Sequence, residues 1–236
     1  MVTATRRRNL LALLMAVLAL WAWRGRRIVV DIPESWNPWS PLDVQAPPNF
    51  WTRLKLSRID HDDAACKAAL STATITYQTI TDRSTGAGCG FENAISISAT
   101  TAKVGPTFAL SCRSAVGLAM WETHGTQPTA QRLFGKKVTR IEHFGSYNCR
   151  NIYGRDGGPR SRHATADALD VAGFVLSDGT RISVLGDWPD ESKESQFLHD
   201  IHQSACRYFG SVLGPDYNDA HRNHFHLDRG GYGVCR

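Results

Sequence analysis

Two stretches carry the residues able to do chemistry. SRHATADALDVAG, from Ser161 to Gly173, sets His163 and Asp170 seven positions apart. HRNHFHLD, from His221 to Asp228, supplies His224 and His226 in alternation. Two imidazoles and a carboxylate, with a fourth position left open, make a common ligand set for catalytic zinc. His163, Asp170 and His226 are the expected ligands. His224, on the same side of an extended run as His226, is the expected base or polarising group beside the metal. Asp170 stands among Ala168, Leu169, Val171 and Ala172. A carboxylate in such company is costly unless it meets a metal or a base. Asp167 is the alternative ligand, and otherwise a hydrogen-bond partner or surface residue. Ser161 and His221 are candidates for substrate contact or support. Two histidines and one carboxylate also suit iron; hydrolytic chemistry outside the cytoplasm favours zinc.

A positive charge fixed near this cluster would orient a carboxylate or stabilise an oxyanion. Arg150 is the candidate. It follows Cys149 and opens the loop NIYGRDGGPRSR, so a bridged Cys149 would give it a rigid base. Glu122 and His124, at the end of a helical pattern, are read as surface rather than ligands.

Six cysteines, Cys66, Cys89, Cys112, Cys149, Cys206 and Cys235, never fall at CxxC spacing, so a zinc knuckle is excluded and disulfides are expected. Export agrees with this. Arg6 to Arg8 precede the apolar run Leu10 to Trp23, and WAWRGRR offers no small-x-small cleavage site. The reading is a cytoplasmic basic tail (1–8), an uncleaved signal anchor or transmembrane helix with its basic flank (9–27), and a Pro/Trp-rich linker (28–50). A folded domain follows at 51–236, outside the membrane. Cleaved export is the alternative. The net charge of +5 misleads. Six of the 27 basic residues flank the apolar run, leaving 21 Lys and Arg against 22 Asp and Glu beyond it. No broad nucleic-acid-binding face is expected.

The elements that must position the site follow from pattern. Asp62 to Leu70 is expected as a helix with acidic residues at its positive end. Thr72 to Thr81 and Gly90 to Ser98 are expected as strands, and Phe108 to His124 as a long buried helix. Pro128 to Phe134 reads as a short helix ending at Gly135. Lys137 to Tyr147 reads as a strand, and Phe174 to Val184 as a hairpin turning at Asp178-Gly179. Glu191 to Gly210 is a covering helix, and His224 to Asp228 a closing strand. This mix of strands and helices makes the class α+β.

GSYNCR (145–150), SRHATADALDVAGFVLSDG (161–179), ACRYFGSVLGPDYNDAHRNHFHLD (205–228) and the helix holding Cys112 and Trp121 together resemble the bacterial extensin-like C-terminal domain family. They are similar, more distantly, to the LAS zinc peptidases, which include lysostaphin-type enzymes, D-alanyl-D-alanine peptidases, the hedgehog domain and MepA-type murein endopeptidases. The likeness runs from about Leu54 to the C-terminus. It implies a small antiparallel sheet with helices packed on it, and one zinc on His163, Asp170 and His226, with His224 as catalytic partner. It also implies cleavage of peptide bonds in cell-wall peptidoglycan, by a single-pass protein of the bacterial inner membrane whose domain faces the periplasm. Two departures stand out. Ala166 replaces a glycine common three residues after the first ligand, and no glutamate base precedes the last one. The hedgehog relative implies a second reading, a non-catalytic, zinc-stabilised domain that binds peptidoglycan or an envelope partner.

Overall fold

The structure is a computed structural model describing residues 2–23, 33–230 and 233–236. The second basic flank and the start of the linker, at 24–32, lie outside the described residues. The chain forms two compact units, Met1–Pro33 and Glu34–Arg236.

In the first unit, helix α1 spans Val2–Trp23. Among the described residues, no helix is long and apolar enough to cross a membrane. The helix has 22 residues, and what falls short is its uninterrupted apolar part. Leu10 to Trp23 covers about 21 Å at about 1.5 Å per residue, against a hydrocarbon core of about 30 Å. The preceding turns of the same helix hold Arg6 to Arg8.

The second unit is α+β. It opens with α2 (Thr52–Ile59) and α3 (Asp63–Ser71), then β1 (Thr76–Thr79), β2 (Arg83–Gly86), β3 (Cys89–Phe91), β4 (Ala94–Ala99) and β5 (Lys103–Ser111). Helices α4 (Cys112–Trp121) and α5 (Gln127–Phe134) follow, joined by a widened turn at Glu122–Thr126. Then come β6 (Val138–Gly145), β7 (Ala168–Leu176), β8 (Arg181–Ser183), α6 (Val184–Asp187), α7 (Lys193–Ala205), β9 (Ser211–Leu213) and β10 (Phe225–Asp228). Among the described residues the main sheet has eight strands in the order β1-β4-β5-β6-β7-β10-β9, with β8 also on β7; β2 and β3 form a separate ribbon. The pairings are antiparallel except β5 with β6.

Helices α4 and α7 share the core with this sheet. Trp121, Phe174, Phe197 and Phe225 are fully buried. The Trp121 indole donates to the Ile201 carbonyl at 2.8 Å, which satisfies its one polar atom. Asp62 caps α3 by accepting from the Ala65 amide, and Gly135 ends α5 with φ 67°.

Three local expectations need correction. The helix expected from Phe108 begins only at Cys112, because Lys103–Ser111 alternates as a strand paired with β4. Ser111 then caps α4 through its side chain. Glu122 is buried, not at the surface; it accepts hydrogen bonds from the Thr101 hydroxyl and the Ala102 amide. Burial raises its pKa against those bonds. The stretch read as a tether belongs, from Glu34 on, to the compact unit: Leu42 and Val44 are buried in the core, and Val44 bonds to Thr72 and His124.

All six cysteines pair, as Cys66–Cys112, Cys89–Cys149 and Cys206–Cys235. The first ties α3 to α4. The last holds the C-terminus beside β9, where Arg236 accepts from the Gly214 amide at 2.7 Å.

Candidate metal centre

Strands β7 and β10 bring the two halves together. Their register sets His226 opposite Asp170, Phe225 opposite Val171 and Asp228 opposite Ala168. Side chains alternate between faces of a strand. Thus Leu169, Val171, Phe225 and Leu227 are buried in the core while Asp170 and His226 share the other face, half-buried.

His163 arrives from a single turn, Arg162–Thr165, directly before β7. The Ser161 hydroxyl accepts from the His163 amide at 3.3 Å and starts this turn. Ala166 ends it with φ 53°. That left-handed conformation costs an L-residue roughly 1–2 kcal/mol, which explains why glycine suits the position. Here the alanine methyl packs with Phe91 and Ala94 instead.

Three electron-pair donors converge. His163 Nε2 lies 3.1 Å from Asp170 Oδ1 and 3.1 Å from His226 Nδ1, and His226 Nδ1 lies 2.9 Å from the same Asp170 oxygen. Tetrahedral zinc with bonds of about 2.0–2.1 Å separates its ligands by about 3.3 Å. These residues therefore fit a divalent metal, and among the described residues the three form a group that could hold one.

The far sides of both rings are also held. His163 Nδ1 donates to the Ser146 carbonyl at 2.7 Å, which leaves Nε2 as the lone-pair nitrogen. His226 Nε2 lies 3.3 Å from Asp228 Oδ2, which leaves Nδ1 for the metal. Such outer partners fix ring orientation and raise ligand basicity. Replacing Asp228 with asparagine is expected to weaken zinc binding about 10–100-fold with the fold intact. Competition with a chromophoric chelator measures this, and unchanged affinity would remove Asp228 from the account.

Charge follows from the same contacts. Burial opposes ionisation of Asp170, but the imidazoles of His163 and His226 against its Oδ1 outweigh it and hold the carboxyl well below its ordinary range. Burial also opposes protonation of His226. Asp170 and Asp228 on its two nitrogens overcome that and raise its pKa to about 9. Without metal, a proton on Nδ1 bridges Asp170 and His163 where the three donors meet. That protonated state stabilises the metal-free protein fully below the ordinary value near 6.5, and the contribution fades as pH rises through about 9. Metal must displace this proton. Apparent zinc affinity should accordingly rise about tenfold per pH unit below pH 9 and level off above it. Calorimetry at pH 7 in buffers of different ionisation enthalpy should register about one proton released. No release would contradict the arrangement.

The expected catalytic histidine lies immediately before β10. His224 Nε2 is 3.5 Å from Asp170 Oδ1, and its Nδ1 meets Asn223 Oδ1 at 2.8 Å. Burial lowers its pKa, leaving an imidazole able to take up a proton. Phe144, largely exposed, stands edge-on to it with ring centres 5.8 Å apart. His221 is buried nearby, its ring 5.3 Å from that of His224. Burial chiefly lowers its pKa, to about 4. Arg150 is exposed, and its charge adds a small contribution to the lowering of both His221 and His224. Cys149 in the Cys89 bridge and the Ser161 amide on the Arg150 carbonyl brace its backbone.

Asp167 does not join the ligands. It is buried against Arg113, with Nε–Oδ1 and Nη2–Oδ2 distances of 2.9 and 2.5 Å, and accepts from Thr165 at 3.0 Å. Sequence reasoning missed Ser146, Asp228 and Asn218. Asn218 links the His221 ring, at 2.7 Å, to the Tyr153 hydroxyl, at 2.9 Å. Asp228, two residues after His226, had a strand-register signal; Asn218 lies three residues before His221 in a loop without such a signal, and Ser146 is 17 residues from the ring it holds.

The sheet and its packed helices define an α+β class with a candidate metal-binding cluster. The chain belongs to the family described as Extensin-like protein C-terminus, which matches residues 64–236. No curated protein and no solved structure matches the chain.

Proposed function

We propose that this protein is a zinc-dependent hydrolase cutting peptide bonds in cell-wall peptidoglycan, with a fold and site of the LAS peptidase type and nearest in kind to MepA-like endopeptidases. The observation that carries the reading is the convergence of His163 Nε2, His226 Nδ1 and Asp170 Oδ1, with both imidazoles held at their far nitrogens. Zinc bound there supplies Lewis acidity and lowers the pKa of water toward about 7. His224, neutral at its lowered pKa, takes a proton from the attacking water and returns it to the leaving amine. Arg150 holds a substrate carboxylate or the developing oxyanion. His221, fixed by Asn218, shapes the wall beside His224.

Three disulfides suit an oxidising compartment. We place the domain in the periplasm, with residues 1–27 as the anchor of a single-pass inner-membrane protein or as an export signal. The partners are then peptidoglycan and the membrane.

A second reading has an observation of its own. His224 Nε2 approaches Asp170 closely enough to take the fourth ligand position. A site closed in this way would be structural, in a wall-binding or envelope interaction domain. The full chain in detergent, incubated with defined crosslinked muropeptides, separates the two. Cleavage that stops with a chelator and returns with zinc supports the hydrolase. Intact muropeptides across several crosslink types, with zinc bound, refute it.

A further inference from the structure

A second cleft, of about 920 Å³, lies apart from the metal ligands, none of which lines it. One wall holds Arg83 and Phe91 of the β2–β3 ribbon with Glu92 just after it; another holds Asp60 at the end of α2 and Asp63 at the start of α3; Arg113, paired with Asp167, also lines the cleft. Its size falls within the range of ligand-binding clefts. Both bordering walls are crosslinked, through Cys89–Cys149 and Cys66–Cys112, so the cleft is preformed.

Its charges are unusual in one respect. Asp60 and Asp167 are neutralised by Arg229 and Arg113. Asp63, Asp82 and Glu92 make no ion pair among the described residues, and neither do Arg83 and Arg162 in the same cleft. Asp63 and Asp82 accept only from Asn93. Arg83 lies over the Phe91 ring at 5.0 Å, and Arg162 reaches the Gly230 carbonyl. Opposite charges face one cleft without pairing with each other. A ligand bearing both signs would satisfy them together.

We propose that this cleft binds a short peptide segment carrying an ammonium group and a carboxylate. Carboxylates at Asp63, Asp82 and Glu92 take the ammonium, and the guanidiniums of Arg83 and Arg162 take the carboxylate. Phe91 beside Arg83 backs the segment with an apolar surface. The same ribbon is fastened to the loop carrying Arg150 by Cys89–Cys149, by Thr85 on the Tyr147 hydroxyl and by Arg160 on the Ala87 carbonyl. A peptide held here therefore rests on the wall that also supports the metal centre, yet its binding does not depend on hydrolysis.

The test is equilibrium dialysis of the full chain in detergent against radiolabelled Lys-Ala-Glu, with acetyl-Gln-Ala-Gln-amide as the uncharged control. Expected is saturable binding, one peptide per chain, unaffected by a metal chelator and weakened by added salt. The double variant Arg83→Gln, Glu92→Gln should bind about tenfold more weakly. Both side chains are exposed, so its melting temperature should match the parent's. Absence of saturation, equal binding by the double variant, equal binding of the uncharged control, or loss of binding on chelation would each overturn the proposal. The last outcome would assign the peptide to the metal centre.

Discussion

Replacing Asp170 with asparagine should empty the metal centre. The amide keeps the shape but removes the only anion among the three converging donors. Zinc affinity should fall well beyond the about 10–100-fold loss expected for an outer partner such as Asp228. Purified variant should carry no zinc under conditions that fill the parent. Stability should change as well. In the metal-free protein, protonated His226 rests between Asp170 and Asp228, and removing one partner of a buried pair typically costs about 3–5 kcal/mol. Part of that loss is spared because Asp228 remains. Urea titration of both metal-free proteins at pH 7 measures it. A variant that kept zinc at parental affinity would place the ligands elsewhere.

The second large effect belongs to His224→Ala. Removing a positioned acid–base group typically slows catalysis about 10²–10⁴-fold. The variant should keep its zinc, because His163, Asp170 and His226 are untouched. Muropeptide turnover falling in that range with zinc retained supports proton transfer by His224. A fall of less than about tenfold would remove it from the mechanism. Zinc lost together with activity would make His224 a fourth ligand and turn the reading toward the structural, wall-binding domain.

The site was legible in sequence to the extent that it is local. His163 and Asp170 lie on a turn and the strand directly after it, and His226 alternates with core residues along β10. Residue type and spacing singled out these three as candidates, and the structure brings them together. What holds them is not local. The Ser146 carbonyl behind His163 comes from the end of β6 and is set by tertiary packing. The bidentate partner of Asp167 comes from α4, so charge and spacing could not separate a ligand from an ion-pair member.

Part of the fold was hidden for related reasons. In Phe108 to Ser111 the apolar spacing continues that of α4, so a helix seemed to begin early. Pairing with β4 makes those residues the end of a strand. Glu122 looked like a surface residue because its partners, Thr101 and Ala102, lie in the turn before β5. Leu42 and Val44 stand in a proline-rich stretch whose composition suggests an extended tether. They are buried nonetheless, because two apolar side chains docking on the helices are enough to bring that stretch onto the domain. The disulfide pairing was likewise closed to sequence, since six cysteines allow fifteen pairings.

X-ray absorption at the zinc edge tests the central claim most directly, on the full chain purified without chelators. Expected are one zinc per chain, nitrogen and oxygen ligands at about 2.0–2.1 Å, imidazole scattering from two histidines and no sulfur at about 2.3 Å. In Asp170→Asn the zinc signal should be absent. A parental protein with no bound metal after zinc loading, or a zinc spectrum unchanged in that variant, would contradict it.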